Sequence, residues 1–244
     1  MTETARAGVG AGEVEGFERL ASRWWDRRGP MAPLHAMNPA RVGWIAARAQ
    51  AGSRLLDVGC GAGIAAEALA RRGFRVTGLD AGASLIEAAR AHADPALGIA
   101  YRVGTTATLI AEGARFASVV ALEVIEHVDD PALFVAELAR LLEPGGHLFL
   151  STLNRTPASF LTAKIGAEYI LRLLPVGTHD WKRFITPGEL GAMLREAGLR
   201  VADIAGLAPG LAGWKTVPRP GTNYIIEARA PMAAPAQPNT APGA

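Results

Sequence analysis

The sequence predicts an α/β fold: a mostly parallel, seven-stranded sheet with helices on both faces, further helices at the N-terminus and an apolar helix inserted after the fifth strand. Three observations carry this. Short apolar runs alternate with helical periodicities between residues 54 and 152, a glycine-rich turn from Gly59 to Gly63 joins the first run to its helix, and Asp57, Asp80 and Glu123 each fall at the carboxyl end of a run. Alternation with short turns makes a parallel sheet covered on both faces. Ligands of such sheets sit at the carboxyl ends of the strands, so the three acids should share one rim.

In chain order, residues 1–13 lack periodicity and are expected to be disordered, with order beginning near Val14. Phe17, Leu20, Ala21, Trp24 and Trp25 recur at helical spacing and predict an amphipathic helix outside the sheet, whose tryptophans either cap a site or simply pack. Gly29-Pro30 breaks it, and a loop through Pro33 to Arg41 leads into a helix from Pro39 to Ala49. The alternation then runs strand 54–58, helix 62–72, strand 75–79, helix 84–92, strand 99–103, a short helix or turn at 105–111, strand 116–122, helix 131–142 and strand 147–152.

Residues 159–174 are apolar apart from a stripe of Lys164, Glu168 and Arg172, which suits a lid, a membrane-surface helix or a helix packed on its own domain. Thr186-Pro187-Gly188-Glu189 predicts a helix start with a capping box. That helix ends at Gly198, and strands follow at 200–205 and 223–228, ahead of an Ala/Pro-rich tail at 231–244 that is expected to be disordered. One domain over 14–230 is expected, with 159–185 as an insertion.

Composition narrows the function. A net charge of +2 with scattered arginines excludes a nucleic-acid stripe. The single cysteine, Cys60, permits no internal disulfide and reads as packing within the glycine turn. No apolar run reaches the roughly 18 residues of a spanning helix, and no signal-peptide core opens the chain, so a cytoplasmic and bacterial protein is expected.

The glycine turn reads as a nucleotide-type site. Its glycines permit positive φ and a close approach of a ligand to bare backbone, and Asp80 is placed to accept the hydroxyls of a ribose. A dinucleotide fingerprint would be G-x-G-x-x-G; here the run is D-x-G-x-G-x-G, from Asp57 through Gly59 and Gly61 to Gly63. Asp57 would repel a pyrophosphate but suits the ammonium group of a cationic, phosphate-free cofactor. In this the stretch resembles the first motif of the Rossmann-like, class I S-adenosyl-L-methionine-dependent methyltransferases.

A second motif, Glu123-Val124-Ile125-Glu126-His127, closes the fourth strand with polar residues at i, i+3 and i+4. One helical turn there would bring the three to one face, where they could hold a divalent cation. Alternatively His127 works as a general base with the glutamates setting its tautomer, or the segment is a solvated acidic turn. His35 and His179 lie in segments expected to border the site.

The blocks W-W-D (24–26), P-L-H-A-M-N-P-A-R (33–41), L-D-V-G-C-G-A-G-I (56–64), G-L-D-A (78–81), E-V-I-E-H-V-D-D-P (123–131), E-P-G-G (143–146), S-T-L-N-R-T (151–156) and G-T-H-D-W-K-R-F-I (177–185) occur in order. Together they resemble the ubiquinone-biosynthesis O-methyltransferase family over about Phe17 to Ala228. The resemblance implies methyl transfer to a catechol or phenol hydroxyl of polyprenylated ring intermediates, 3-demethylubiquinol and 2-polyprenyl-6-hydroxyphenol. It implies that Gly59 and Asp80 hold the cofactor, with Arg41 reaching it and Leu122 lining its pocket. It further implies a divalent cation on Glu123, Glu126 and His127, magnesium foremost with zinc or manganese as alternatives. Segment 159–174 would contact a membrane surface, giving peripheral association with the inner membrane, and a quinone-biosynthesis complex is a further expected partner. The alternatives are a methyltransferase for another small phenolic or acidic metabolite, and a non-catalytic cofactor-binding member of a quinone-synthesis assembly. Thr108 and Ser118 depart from the family pattern, which commonly carries glutamate and aspartate there.

Overall fold

Parallel β-α alternation governs the molecule, as a computed structural model shows; it describes residues 8–159 and 181–233. The helices are α1 (Ala11–Glu18), α2 (Ala32–Ala46), α3 (Ile64–Ala70), α4 (Ala83–His92), α5 (Thr106–Ala111), α6 (Pro131–Arg140) and α7 (Pro187–Glu196). The strands are β1 (Arg54–Val58), β2 (Arg75–Asp80), β3 (Ala100–Val103), β4 (Phe116–Leu122), β5 (Leu142–Leu153), β6 (Arg200–Gly210), β7 (Gly213–Val217) and β8 (Asn223–Arg229).

They form one sheet in the order β3-β2-β1-β4-β5-β8-β6-β7. Strands β1 to β5 pair in parallel, while β8 lies antiparallel between β5 and β6, and β7 pairs antiparallel with β6. The sheet therefore has eight strands where seven were expected. The additional strand, β7, forms a hairpin with β6 through the register Gly210↔Gly213, leaving Leu211 and Ala212 as the turn. It pairs only with β6, so most of its side chains are exposed or half-buried and it carries no long apolar run.

Period-two alternation along β1 divides its side chains between two cores. Leu55 packs with α2, α3 and α4, whereas Leu56 and Val58 pack on the other face with α6 and α7. Because chain order reverses between β1 and β4, their carboxyl ends flank a crevice. The glycine turn follows β1 and the Glu123 segment follows β4, so the fold brings the two sequence motifs together at this point.

The N-terminal elements differ from expectation. Helix α1 begins at Ala11, ahead of Val14, and ends at Glu18; Ala21–Arg23 is a separate 3-10 turn, so no continuous helix reaches Trp25. Helix α2 begins at Ala32 and contains Pro39 in its interior, where a helix start was expected. Pro39 has no N–H to return to the carbonyl four residues earlier, and the packing of Met37, Arg41, Val42, Trp44 and Ile45 into the core offsets that loss. The capping box at Thr186 forms as expected, with Thr186 Oγ1 accepting from the Glu189 amide. The expected helix at 159–174, the loop at 177–180 with His179, and most of the tail at 231–244 lie outside the described residues.

Candidate active site

Loop geometry at the glycine turn follows from what surrounds it. Gly59 and Gly61 adopt φ of +68° and +51°. A Cβ on Gly61 would meet the Trp24 ring at 2.2 Å, and one on Gly59 would meet Val124 at 2.5 Å. The glycines thus allow the turn to be approached closely, but by protein side chains on those two sides. Gly63, at φ +93°, caps α3 and leaves room for the Tyr101 hydroxyl, 2.2 Å from where its Cβ would stand. Gly59 and Gly61 line the cavity described below, whereas Gly63 does not. The turn amides are also committed internally: Gly59 and Cys60 donate to the Leu79 carbonyl at 2.8 and 3.1 Å, and Gly63 to the Cys60 carbonyl at 2.9 Å. A ligand therefore meets the surface of this turn, while these N–H groups point into the fold.

Asp80 ends β2 and ties the turn to α4. Its Oδ2 accepts from the Gly61 amide and its Oδ1 from the Gly82 amide, each at 2.8 Å. A carboxylate offers about four acceptor positions, so both oxygens keep capacity for a ribose diol. Burial raises its pKa, with the backbone donors opposing.

Asp57 sits lower, on the α2 face of β1, and is 2% exposed without lining the cavity. Its Oδ2 has no hydrogen-bond partner. Burial, opposed by Arg41 and reinforced by Asp80, pushes its pKa up to about 7. The unfolded carboxyl titrates near 3.9, so between about pH 4 and 7 the folded state holds the extra proton, and stability from this group is lost as pH rises through 7. Wild-type protein should accordingly gain thermal stability relative to Asp57→Asn as pH falls from 8 towards 4. Melting curves of the two across that range check this, and a pH-independent difference would contradict it.

Arg41 projects from α2 and is likewise buried, at 2% exposure. Its Nη1 lies 3.6 Å from Glu123 Oε1, its Nη2 donates to the Leu34 carbonyl at 3.4 Å, and its Nε has no partner. Burial lowers its pKa, and Glu123, Asp57 and Glu126 oppose the change, so one guanidinium serves three acids.

Glu123 is the one non-glycine residue with positive φ among those described, at +58°. Such strain persists where the surroundings over-determine it. Here Ser151 Oγ donates to Oε1 at 2.6 Å, Asn223 Nδ2 donates to Oε2 at 2.9 Å, and the Glu123 amide donates to the Ser151 carbonyl at 3.0 Å. The expected helical turn follows as a 3-10 turn, Ile125–His127, but it sends the side chains to different partners. Buried Glu126 accepts from Thr152 Oγ1 at 2.9 Å, and burial followed by the Glu123 charge pushes its pKa up to about 7. His127 Nδ1 lies 2.7 Å from Glu13 Oε2. Burial works against its charge, yet the Glu13 hydrogen bond and the glutamate charges leave its pKa raised.

These commitments bear on the expected cation. Among the described residues no three His, Cys, Asp or Glu side chains are grouped to hold a metal ion. Glu123, Glu126 and His127 each face a different protein partner, so the arrangement seen does not fit that donor set.

A cavity of about 620 Å³ joins these parts. Its lining includes Gly59, Gly61, Asp80, Gly104, Thr106 and Leu122, the polar Glu123, Glu126 and His127, and the apolar Met31, Leu34, Met37, Pro209 and Trp214. Phe17 and Trp24 also line it, which makes the N-terminal aromatics walls of the site. Trp25 instead packs: its Nε1 donates to the Ala62 carbonyl at 2.9 Å and its ring stacks on His92. His35 bonds the Trp24 carbonyl at 2.9 Å, and Cys60 is buried with its thiol pKa raised by burial. Sequence reasoning did not select Glu13, Ser151, Thr152 or Asn223 as site residues. The signal for two of them was present, since Ser151 and Thr152 follow the apolar run Leu148-Phe149-Leu150 at the carboxyl end of its strand.

With this geometry established, similarities to known proteins can be placed on it. A methyltransferase-domain family profile matches residues 34–204. The ubiquinone biosynthesis O-methyltransferase of Xanthomonas axonopodis pv. citri is 50% identical over 198 residues, covering 80% of this chain and 83% of that protein. That of Pseudomonas aeruginosa is 48% identical over 222 residues, covering 89% and 96%. Among solved structures, magnesium protoporphyrin IX methyltransferase from Synechocystis with bound SAH superposes with a TM-score of 0.66 at 20% identity, over 88% of this chain and 94% of that one, a likeness of fold. Among the described residues no helix is long and apolar enough to cross a membrane.

Proposed function

The chain belongs to the ubiquinone biosynthesis O-methyltransferase family, and on that premise we propose that it transfers a methyl group from S-adenosyl-L-methionine to a ring hydroxyl of a polyprenylated catechol or phenol. The observation that supports this best is the cavity itself: one space is lined by an acid able to take a ribose, by a histidine and by apolar side chains.

The residues present fit the cofactor. Asp80 would hold the ribose hydroxyls, and Thr106 and Leu122 would flank the base. Arg41 and Asp57 are buried and do not line the cavity, so they would act on the cofactor's charged groups by their charge and not by contact. When bound, the cofactor supplies an electrophilic methyl group on a sulfonium centre. The chain's own part is to position the acceptor and remove its proton. A free phenol with a pKa near 10 is a poor nucleophile at neutral pH. His127 would take the hydroxyl proton on Nε2, leaving the oxygen its electron pair for the new bond to carbon. For this a base must lie within hydrogen-bond reach of the hydroxyl, and His127 lines the cavity beside Glu123 and Glu126.

A divalent cation would require Glu123, Glu126 and His127 to leave their present partners, and the reading assigns no step to one. Met31, Met37 and Trp214 support the acceptor assignment, since an isoprenoid needs an unbranched apolar path beside the ring site. Such a tail is held in lipid, and for that reason we place the enzyme at a membrane surface, with segment 159–174 as its contact and a quinone-biosynthesis assembly as its setting.

Methyl transfer to catechols with and without a short isoprenoid tail tests the reading. Each buried methylene contributes about 0.8 kcal/mol, so kcat/KM for the tailed acceptor should exceed that for the tailless one by about two orders of magnitude. Equal values would return the acceptor to a small phenolic metabolite. A chelator arm in the same assay, with magnesium restored afterwards, reads the cation's part.

A further inference from the structure

Helix α1 carries a side chain that the reaction described above leaves unused. Glu13 stands in the first turn of α1, and its two oxygens face in two directions: Oε2 to His127 Nδ1 at 2.7 Å and Oε1 to the Arg183 guanidinium. Three features keep it ionised there. Arg183 pairs with Oε1, and His127 Nδ1 lies within hydrogen-bond reach of Oε2. The amino end of a helix also favours negative charge.

The helix is anchored to the same turn that carries His127. Val9 makes an antiparallel bridge to Val128, and the Asp129 amide donates to the Gly8 carbonyl at 3.4 Å. Phe17, one helical turn beyond Glu13, sets its ring edge-on to the His127 imidazole at 5.2 Å and 88°. The imidazole is therefore held from two sides by one short helix, with Glu123 and Glu126 as the other charged groups near it.

We propose that Glu13 is the positioning residue for His127. An ionised carboxylate only accepts, so when the imidazole is neutral its one hydrogen stands on Nδ1 and Nε2 is left as the lone-pair nitrogen. Nε2 has no hydrogen-bond partner among the described residues, and it belongs to a ring that lines the cavity. Glu13 thus selects the tautomer that can accept the hydroxyl proton and fixes the ring plane, without itself touching the reacting atoms. Arg183 holds the second carboxylate oxygen, which ties this dyad to the 3-10 turn Trp181–Arg183. The proposal rests on the reading of His127 as the base.

Its test pairs a spectroscopic readout with a kinetic one, on the full chain. Long-range proton–nitrogen correlation spectra of the free protein, with nitrogen-labelled histidine and at a pH where the ring is neutral, should show His127 in the Nδ1–H form. Glu13→Leu should lose that form and lower kcat about 100-fold, with the acceptor KM and the cofactor Kd within threefold of wild type. Glu13→Gln keeps an acceptor oxygen and should restore both the tautomer and most of kcat. Arg183→Gln should retain the Nδ1–H form. An unchanged tautomer in Glu13→Leu would overturn the proposal, as would a changed tautomer with full kcat. So would Arg183→Gln shifting the tautomer as far as Glu13→Leu, because helix docking and not the carboxylate would then set the ring. Full activity in His127→Asn would defeat the base reading alone, and the spectra of the free protein would still decide what Glu13 does to the ring.

Discussion

Replacing Arg41 by methionine should weaken cofactor binding and remove much of the protein's stability in one step. The guanidinium is the cation beside which Asp57, Glu123 and Glu126 are buried, and methionine fills its volume without its charge. Removing one partner from a buried ion pair costs about 3–5 kcal/mol, because the remaining charges must be neutralised or exposed. Loss of its charge beneath the cavity should also weaken binding of the cofactor's carboxylate, by roughly 10-fold in Kd. Calorimetric titration with S-adenosylmethionine and denaturant unfolding measure the two effects separately. Wild-type affinity in Arg41→Met would show that the unpartnered Nε serves packing only. Lysine should rescue poorly, since Arg41 reaches Leu34 and Glu123 with different nitrogens of one planar fork.

The second large effect is expected at His127. Asparagine there keeps a donor for Glu13 at the place of Nδ1 but has nothing at the place of Nε2. Removal of a general base lowers rates by about 10²- to 10⁴-fold. His127→Asn should therefore lose kcat within that range while cofactor Kd stays close to wild type, because Gly59, Gly61, Asp80 and Leu122 are untouched. A loss shared equally between kcat and cofactor affinity would mean that the imidazole supports the cavity wall, together with Phe17, and performs no proton transfer.

How much of this was legible in the sequence depended on distance along the chain. The β-α alternation from 54 to 152 could be read because each element declares itself by its own period, and β1 and β4 were placed to the residue. Asp80 and Glu123 could be read for the same reason: an acid that ends a strand in a parallel sheet reaches the rim. Asp57 also ends its strand in sequence, but alternation turns it under α2, where it acts on Arg41 and the site by charge. The conditional helical turn at 123–127 formed, yet spacing alone said nothing of the partners that pull its side chains apart. Those partners are Ser151, Asn223 and Glu13, at 28, 100 and 114 residues' separation. Glu13 was hidden further because α1 is preceded by Gly10, which offers no side-chain cap, and carries little periodicity. Strand β7 was hidden because an edge strand paired on one side needs no apolar run. Pro39 misled the reading of α2, since a proline inside a helix looks like a proline that opens one.

The most direct measurement is single-turnover transfer of labelled methyl from S-adenosylmethionine to a short-tailed polyprenyl catechol, run on wild type and His127→Asn side by side, with the product identified by mass and position. The expected result is a ring methyl ether formed by wild type, with the variant binding cofactor equally but turning over at least 100-fold more slowly. Wild-type protein that binds the cofactor and yields no ring ether would contradict the account and leave the chain as a cofactor-binding partner in quinone synthesis.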